Sequence, residues 1–409
     1  MVKKQLVIIG GGAAGFFCAV NAAKMNRDLQ VTIIEKTGKL LSKVKVSGGG
    51  RCNVTHSCFS ITDMIKKYPR GAIFLKKAFH EFFTTDTIDW FNERGVALKT
   101  EPDGRMFPVT NSSQTVIDCL MNEINNYGVN ILMNKDVNQI SHLNGEWIIS
   151  FNNGANIQAD YLCIASGGYQ KPAQFEWLKN IGHSIAEPVP SLFTFNMPGN
   201  NITSLMGIAV ENVMVKIVGT KLVDGGPLLI THWGMSGPAI LKLSAWGARE
   251  LALKNWHFTI HVNWVPVYNE ITLKEKFQET RFEKAAQKIA NRNPFGLPQR
   301  LWEYLLLQCA INENLRWADL PAKEQNKMIK ILCASEFVVK GKTTFKEEFV
   351  TSGGILLDEV NPSTMQSKLV SNLYFAGEVL NVDGVTGGFN FQNAWTTGFI
   401  AAKSIASIV

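Results

Sequence analysis

Three glycines, Gly10, Gly12 and Gly15, stand between the apolar runs Leu6–Ile9 and Val31–Ile34, and the second run closes on Glu35. Residues of these types at this spacing can hold phosphate and sugar with almost no side chains. Gly10 permits a tight turn, Gly12 lets a pyrophosphate approach the backbone next to Ala13 and Ala14, and Gly15 lets a following helix sit against the sheet. The helix N-terminus presents unpaired N–H groups and a positive dipole end to the phosphates. The Glu35 carboxylate stands where it accepts hydrogen bonds from a ribose diol. The elements that must position these groups are a strand, a glycine turn, a helix and a second strand, and the sequence reads in that order as a dinucleotide-binding βαβ unit.

Other residues favour FAD over NAD as the dinucleotide. A basic, glycine-rich loop runs from Lys36 to Asn53 and contains Ser47-Gly48-Gly49-Gly50-Arg51-Cys52-Asn53. Its glycines offer a backbone that a flat ring or a phosphate can approach. Lys43 and Arg51 supply positive charge for phosphate or reduced flavin, and Asn53 can donate and accept. The buried-type strand Tyr161–Ala165 runs into Ser166-Gly167-Gly168, a second close approach at Ala165 and Gly167. Near the C-terminus, Leu373–Phe375 ends in Ala376-Gly377-Glu378, where a carboxylate can hold a ribityl hydroxyl or a phosphate-side water. Gly387-Gly388-Phe389-Asn390-Phe391-Gln392 then opens a last helical segment. A helix N-terminus aimed at a flavin pyrimidine edge stabilises the negative charge that develops on reduction.

A lone strand at Leu373–Phe375 has no sheet of its own, so it is expected to return to the N-terminal sheet. This makes the nucleotide domain discontinuous, 1–191 plus 348–409. Between them lie a β-rich insert, 192–268, with strands such as Ile208–Val218 and Phe258–Val262, and a helical insert, 269–347, with Leu301–Asn312 and Ala322–Ala334. The fold class is α/β.

The SGGGRCN loop, Ala376–Gln392, Thr231-His232-Trp-Gly-Met-Ser-Gly-Pro238 and Gly104-Arg105-Met-Phe-Pro108 together resemble the BaiN-like (YhiN-like) family of NAD(P)/FAD-dependent oxidoreductases, over the whole chain. The resemblance implies a Rossmann-like FAD domain interrupted by a β-barrel-like part and a small helical part. It implies an adenine contact from the Val137 backbone, and ring or ribityl contacts from the SGGGRCN loop and the start of the C-terminal helix, a stretch that includes Asp383. It also suggests reduction of a carbon–carbon double bond, in at least one member on a steroid-like skeleton. Asn381 stands where Asp is common in the family, and Phe389 where Tyr is common.

The function expected is FAD-dependent reduction of an unsaturated or carbonyl small molecule. No second GxGxxG exists, so NAD(P)H is expected to bind only transiently as donor. Reducing a double bond needs a proton donor. His232 is the candidate, beside a turn role that only bonds backbone; Arg105 is a candidate for binding an anionic substrate, beside a purely structural one. Cys52 and Cys58 raise a second reading, a flavin–dithiol oxidoreductase. A third is a non-catalytic flavin-binding sensor or RNA-associated protein.

Composition narrows the classes further. The chain has 409 residues, 46% hydrophobic and 18% charged, which supports a large core and argues against disorder. Its net charge of +7 suits an anionic cofactor, and it is read as too diffuse for nucleic acid, so no nucleic acid is expected. Lys66, Lys67, Arg70, Lys76 and Lys77 are read as solvated helix faces. Seven cysteines with no CxxC pair read as reduced thiols of a cytoplasmic protein. No metal-ligand pattern is assigned. The start, Met1-Val2-Lys3-Lys4, mimics a signal peptide but its apolar run is too short, and no run is long enough to span a membrane.

Overall fold

The computed structural model describes residues 3–343 and 350–408. Met1 and Val2 of the signal-like start, the expected junction at 347/348 and the expected strand onset at Phe349 lie outside the described residues. The chain divides into two compact units, Met1–Ser191 with Phe345–Val409, and Leu192–Thr344.

The first unit is built on a parallel sheet of five strands in the spatial order Leu373–Phe375, Tyr161–Ile164, Lys4–Ile9, Leu29–Ile34, Asn130–Leu132. Parallel strands are buried on both faces and read as continuous apolar runs; LVII at 6–9 and YLCI at 161–164 do so, and all eight residues are buried. The C-terminal strand pairs Leu162 with Leu373 and Ile164 with Phe375. The helix Ala13–Met25 is buried on nearly every side, from Ala14 to Ala23. It packs against the last helix, Phe389–Ala406, whose Gly398 allows a close crossing: a Cβ there would lie 2.7 Å from the carbonyl oxygen of Ala14. Val137–Leu143, Glu146–Phe151 and Asn156–Ala159 form an antiparallel meander that turns at Gly145.

The second unit holds a seven-stranded antiparallel sheet. Its order runs from Ser335–Lys340 through His257–Asn263, Ala209–Ile217, Val223–Thr231, Gly234–Ser236 and Thr194–Asn196 to Lys342–Thr343. The two edge strands are one continuous stretch of chain broken only at Gly341. The Gly341 N–H donates to the Trp256 carbonyl (2.9 Å) and its carbonyl accepts from the Asn196 N–H (3.2 Å). The sheet thereby closes on itself as a barrel does, and Gly341 takes the left-handed φ of +99° that the corner requires. Helices Glu270–Glu283, Gln299–Gln308 and Ala322–Ala334 share the sheet's core: Val215, Ile260, Leu273, Trp302 and Met328 belong to one buried cluster. The β-rich and helical inserts of the sequence reading are thus a single packed body, and Ser335–Lys340, from the stretch read as helical, supplies a strand to the sheet. Phe193, Phe195 and Met235 are buried in this core.

Among the described residues no helix is long and apolar enough to cross a membrane.

Candidate cofactor and active site

The glycine turn has the geometry its spacing implies. A Cβ on Gly10 would lie 2.2 Å from the Ala165 carbonyl oxygen, and one on Gly15 would lie 2.0 Å from the Gly10 carbonyl oxygen. Neither position has room for a side chain. Gly12 is different: a Cβ there meets nothing within 4 Å. It caps the helix beginning at Ala13, so the open space lies where the helix N-terminus points. Glu35 is fixed from both sides. One carboxylate oxygen accepts from the Gly11 N–H (2.9 Å), the other from the Thr37 N–H and hydroxyl (2.8 Å each). A carboxylate has further lone pairs available beyond these bonds. Lys36 is exposed and 3.3 Å from Asp136. Val137 begins the adjacent hairpin.

The basic loop is more ordered than a loop reading implies. Ser42 opens a short helix that breaks at Ser47, after which Gly48, Gly49 and Gly50 have φ of +58°, +69° and +82°. Three successive left-handed residues require glycine. Gly49 and Gly50 have open space where side chains would be, so this stretch presents bare backbone. The side chains around it are engaged elsewhere. Lys43 pairs with Glu378 at 2.5 Å, and the other Glu378 oxygen accepts from the Thr351 N–H (2.8 Å). Arg51 bonds Glu101 (2.5 Å) with its guanidinium 4.0 Å from the Phe107 ring centroid, and Arg105 reaches the same Glu101 (3.3 Å) and Asp103 (2.7 Å). The positive charges read as free for phosphate, flavin or anionic substrate are therefore largely balanced by carboxylates, distant in sequence for Lys43 and Arg51 and near neighbours for Arg105. Asn53, with its amide turned to satisfy both neighbours, donates to the Thr55 carbonyl (2.9 Å) and accepts from the Gly388 N–H (2.9 Å).

The C-terminal segment shows the same division. Asp383 is fully buried and bound by Arg70 and by the Ser191 hydroxyl (2.9 Å). Burial raises its carboxyl pKa against the pull of Arg70. Asp383 is a buried ion-pair partner, which corrects its expected place at the cofactor surface, and Arg70 is not a solvated helix cation. Gln392 is likewise internal, accepting from Thr55 (2.6 Å) and Thr87 (3.0 Å) and donating to Thr396 (3.1 Å). Asn390 bonds both backbone groups of Gly384. Phe391 stacks on Trp395, and Phe389 stacks on His56 with ring centroids 4.7 Å apart. The start of the last helix thus offers a ligand its backbone, with side chains turned to hold the shape.

Cys52 also departs from its expected role. It is completely buried, and burial pushes its thiol up to about 12. Cys58 is raised in the same direction by burial, and the two are not bonded to each other. A reactive dithiol needs an accessible thiolate, so this pair does not fit the flavin–dithiol reading.

His56 is the residue that sequence reasoning missed. It pairs with Arg105 across the small sheet that contains Thr55–His56, lies against Phe389, and has Gly104 and Gly387 beside its ring. Its Nε2 faces the Asp103 carbonyl (3.2 Å), while its Nδ1 is buried with no partner. Burial lowers its pKa. The Ser352 hydroxyl and the Asn381 amide oxygen are also buried and unpaired. Orphaned polar atoms of this kind call for an occupant. Together with the side-chain-free space at Gly12, Gly49 and Gly50, they make the first unit a fit for an extended dinucleotide such as FAD.

His232 belongs to the inserted unit. It is exposed, its ring is 4.0 Å from that of Trp233, and both line a pocket of about 420 Å³ with Asn196, Pro198, Thr203 and Lys340.

Residues 4–404 match the family model of the HI0933-like protein Rossmann domain. The chain is 30% identical over 419 residues to a ribosomal RNA dihydrouridine synthase of Escherichia coli, covering 99% of this chain and 98% of that protein. A Haemophilus influenzae protein of the same name is 28% identical, with 98% of each chain covered. A 3-dehydro-bile acid delta(4,6)-reductase of Clostridium scindens is 25% identical, over 98% of this chain and 99% of that one. In fold, the chain is similar to the 3-ketosteroid-delta4-(5alpha)-dehydrogenase of Rhodococcus jostii, with a TM-score of 0.51 and 12% identity over 98% of both chains.

Proposed function

The chain belongs to the HI0933-like Rossmann-domain family of FAD-dependent oxidoreductases, and we propose that it reduces a carbon–carbon double bond conjugated to a carbonyl, with the uracil ring of ribosomal RNA as its substrate. The names of the full-length relatives support one reaction type: conversion of uridine to dihydrouridine, and reduction of an unsaturated 3-oxo steroid, each add two hydrogens across such a bond. The observation that carries the choice of RNA is the full-length match to the RNA-named relative at 30% identity, against 25% for the bile-acid reductase. This reading replaces the expectation that no nucleic acid is bound.

In this proposal a reduced nicotinamide is the transient electron donor. A hydride is added to the carbon β to the carbonyl and a proton to the α carbon, and the nicotinamide leaves oxidised. FAD, when bound, would supply the hydride chemistry that links donor and substrate. The protein's contribution is to hold it: Gly12 and the Ala13 helix start take the pyrophosphate, Glu35 the adenosine ribose, the Val137 backbone the adenine, Ala165 and Gly167 a close backbone approach. Gly48–Gly50, the N–H groups after Gly388 and the Gly377 backbone would hold its ring and ribityl end. Lys43–Glu378 and Arg51–Glu101 stiffen that end. His232, exposed and able to exchange protons with solvent, is assigned as proton donor, and Arg105 as a positioning residue.

The test is mass analysis of nucleosides from ribosomal RNA treated with holoenzyme and NADPH or NADH. The expected result is a uridine heavier by two hydrogens that is missing from RNA of cells lacking the protein. Identical dihydrouridine content with and without the protein sinks the RNA reading, and turnover of a small conjugated enone in its place would establish the second reading, favoured by the Clostridium relative.

A further inference from the structure

The charge of this protein is unevenly distributed. Leu192–Thr344 contains 18 Lys and Arg against 12 Asp and Glu, whereas the rest of the chain has 23 against 22. Nearly the whole net charge of +7 therefore resides in the inserted unit. A surplus carried by one body raises the local concentration of anions around that body.

The same unit holds the His232–Trp233 pocket. At about 420 Å³ it lies within the size range of small-molecule sites, roughly 300–1,000 Å³. Its chemistry is mixed in a specific way. Trp233 and His232 supply aromatic rings to its lining. Asn196 accepts from the Thr343 hydroxyl through its Oδ1 (3.1 Å), which directs its amide as a donor toward other groups. Lys340 is exposed, and Lys342, two residues on, lies 4.8 Å from the ring centroid of Trp256. Gly341, the corner that closes the sheet, sets these two lysines on either side of the turn. Two aromatic rings, an amide donor and the exposed ammonium of Lys340 lining one pocket suit an unpaired nucleotide: bases stack on rings, base edges meet amides, and phosphates meet lysine. A small apolar enone would use the rings but not the lysine.

We propose that this pocket is a binding subsite for an unpaired nucleotide of the substrate RNA, with Trp233 and His232 packing on the base, Asn196 donating to its edge and Lys340 meeting a phosphate. The proposal deepens the RNA reading above and rests on it for the identity of the polyanion.

The experiment is fluorescence anisotropy of a labelled ribosomal RNA hairpin with an unpaired loop, titrated with holoenzyme at several salt concentrations. Trp233→Ala is expected to weaken binding by roughly 5- to 150-fold, the equivalent of the roughly 1–3 kcal/mol that stacking on one aromatic contributes per base. Trp233→Phe, which keeps a ring, is expected to recover most of that loss. Lys340→Gln is expected to weaken binding and lower the log–log salt slope by about one. Lys340 is exposed, so this variant decides the matter even if Trp233→Ala does not fold. Unchanged affinity and slope in Lys340→Gln and Trp233→Phe, with no loss in any folded Trp233→Ala, overturns the pocket, as does a wild-type holoenzyme that does not bind RNA. Nucleoside mass separates the two readings. Dihydrouridine made by wild type with binding insensitive to these variants removes the pocket alone; pocket-dependent binding without dihydrouridine keeps the pocket and removes the reductase assignment.

Discussion

The two units are proposed to recognise their partners by opposite means. In the nucleotide-binding unit the proposed ligand surface is backbone: Gly12, Gly48–Gly50 and the helix start after Gly388, with nearly every neighbouring charge paired internally. In the inserted unit the pocket is made of side chains, and the charge is in surplus. The difference follows from the partners. A fixed cofactor of known shape is best held by donors that cost no side-chain entropy when it binds. A long polyanion whose conformation varies is drawn in by mobile lysines and selected by a few rings.

Breaking the backbone side of this contrast should have the largest effect. Gly12→Asp places a carboxylate in the open space proposed to take the pyrophosphate, without a steric clash against the fold. The expected outcome is a folded protein that purifies colourless and takes up no added FAD, read by visible absorbance beside far-UV circular dichroism. A yellow Gly12→Asp protein would remove the glycine turn from cofactor binding.

The paired charges around the cradle should behave as scaffold. Arg70→Ala leaves the fully buried Asp383 without its cation, and breaking a buried pair in this way costs about 3–5 kcal/mol. Equilibrium unfolding in urea should show that loss. The half-exposed Lys43–Glu378 pair should contribute about 1 kcal/mol or less, so Lys43→Ala is the contrasting control. If Arg70→Ala were as stable as wild type, Asp383 would be protonated in the native state rather than ion-paired.

His232→Ala sharpens the other side. A general acid contributes about 10²–10⁴-fold, so turnover should fall by at least the lower figure while FAD content stays at the wild-type level. Unchanged turnover with an unchanged pH profile would leave His232 as a wall of the pocket and nothing more.

The parts legible in the sequence were those in which the backbone itself constrains residue type. The Gly10–Gly15 turn, the strand ends at Ala165 and Phe375 and the return of the C-terminal strand to the first sheet all follow from glycine spacing and apolar runs. The partners of charges were not legible. Lys43 and Glu378 are 335 residues apart, Arg70 and Asp383 are 313 apart, and no periodicity links either pair. Asp383 and Gln392 sat inside a cofactor-like motif and were read as ligand-facing; folding turns both inward, because a motif specifies where the chain runs and not which way each side chain points. His56 was missed because it belongs to no pattern: its place is set by Phe389 stacking on it from the far end of the chain. The closure of the barrel-like sheet at Gly341 was hidden for a similar reason, since a single glycine between two short strands signals a turn but not the two edges it joins.

The smallest effect expected is on the pH dependence of stability, and it should originate in the nucleotide-binding unit. His56 and His183 both titrate below the ordinary value of 6.5, in each case chiefly because burial disfavours the charged ring. His183 is held between Glu359 (2.9 Å) and Ser367 (3.0 Å), and Glu359 only partly offsets the burial. With native pKa values depressed, the unfolded chain binds more protons than the folded one as pH drops below 6.5. Stability is then full above that pH and declines as pH falls through the native values. Urea midpoints measured from neutral pH down to the onset of carboxylate titration should show this decline. His56→Gln should flatten part of it, because the replacement does not titrate. A slope in His56→Gln as steep as in wild type would mean that His56 is as readily protonated in the folded protein as in the unfolded chain, and its buried Nδ1 would then have to be solvated in the native state.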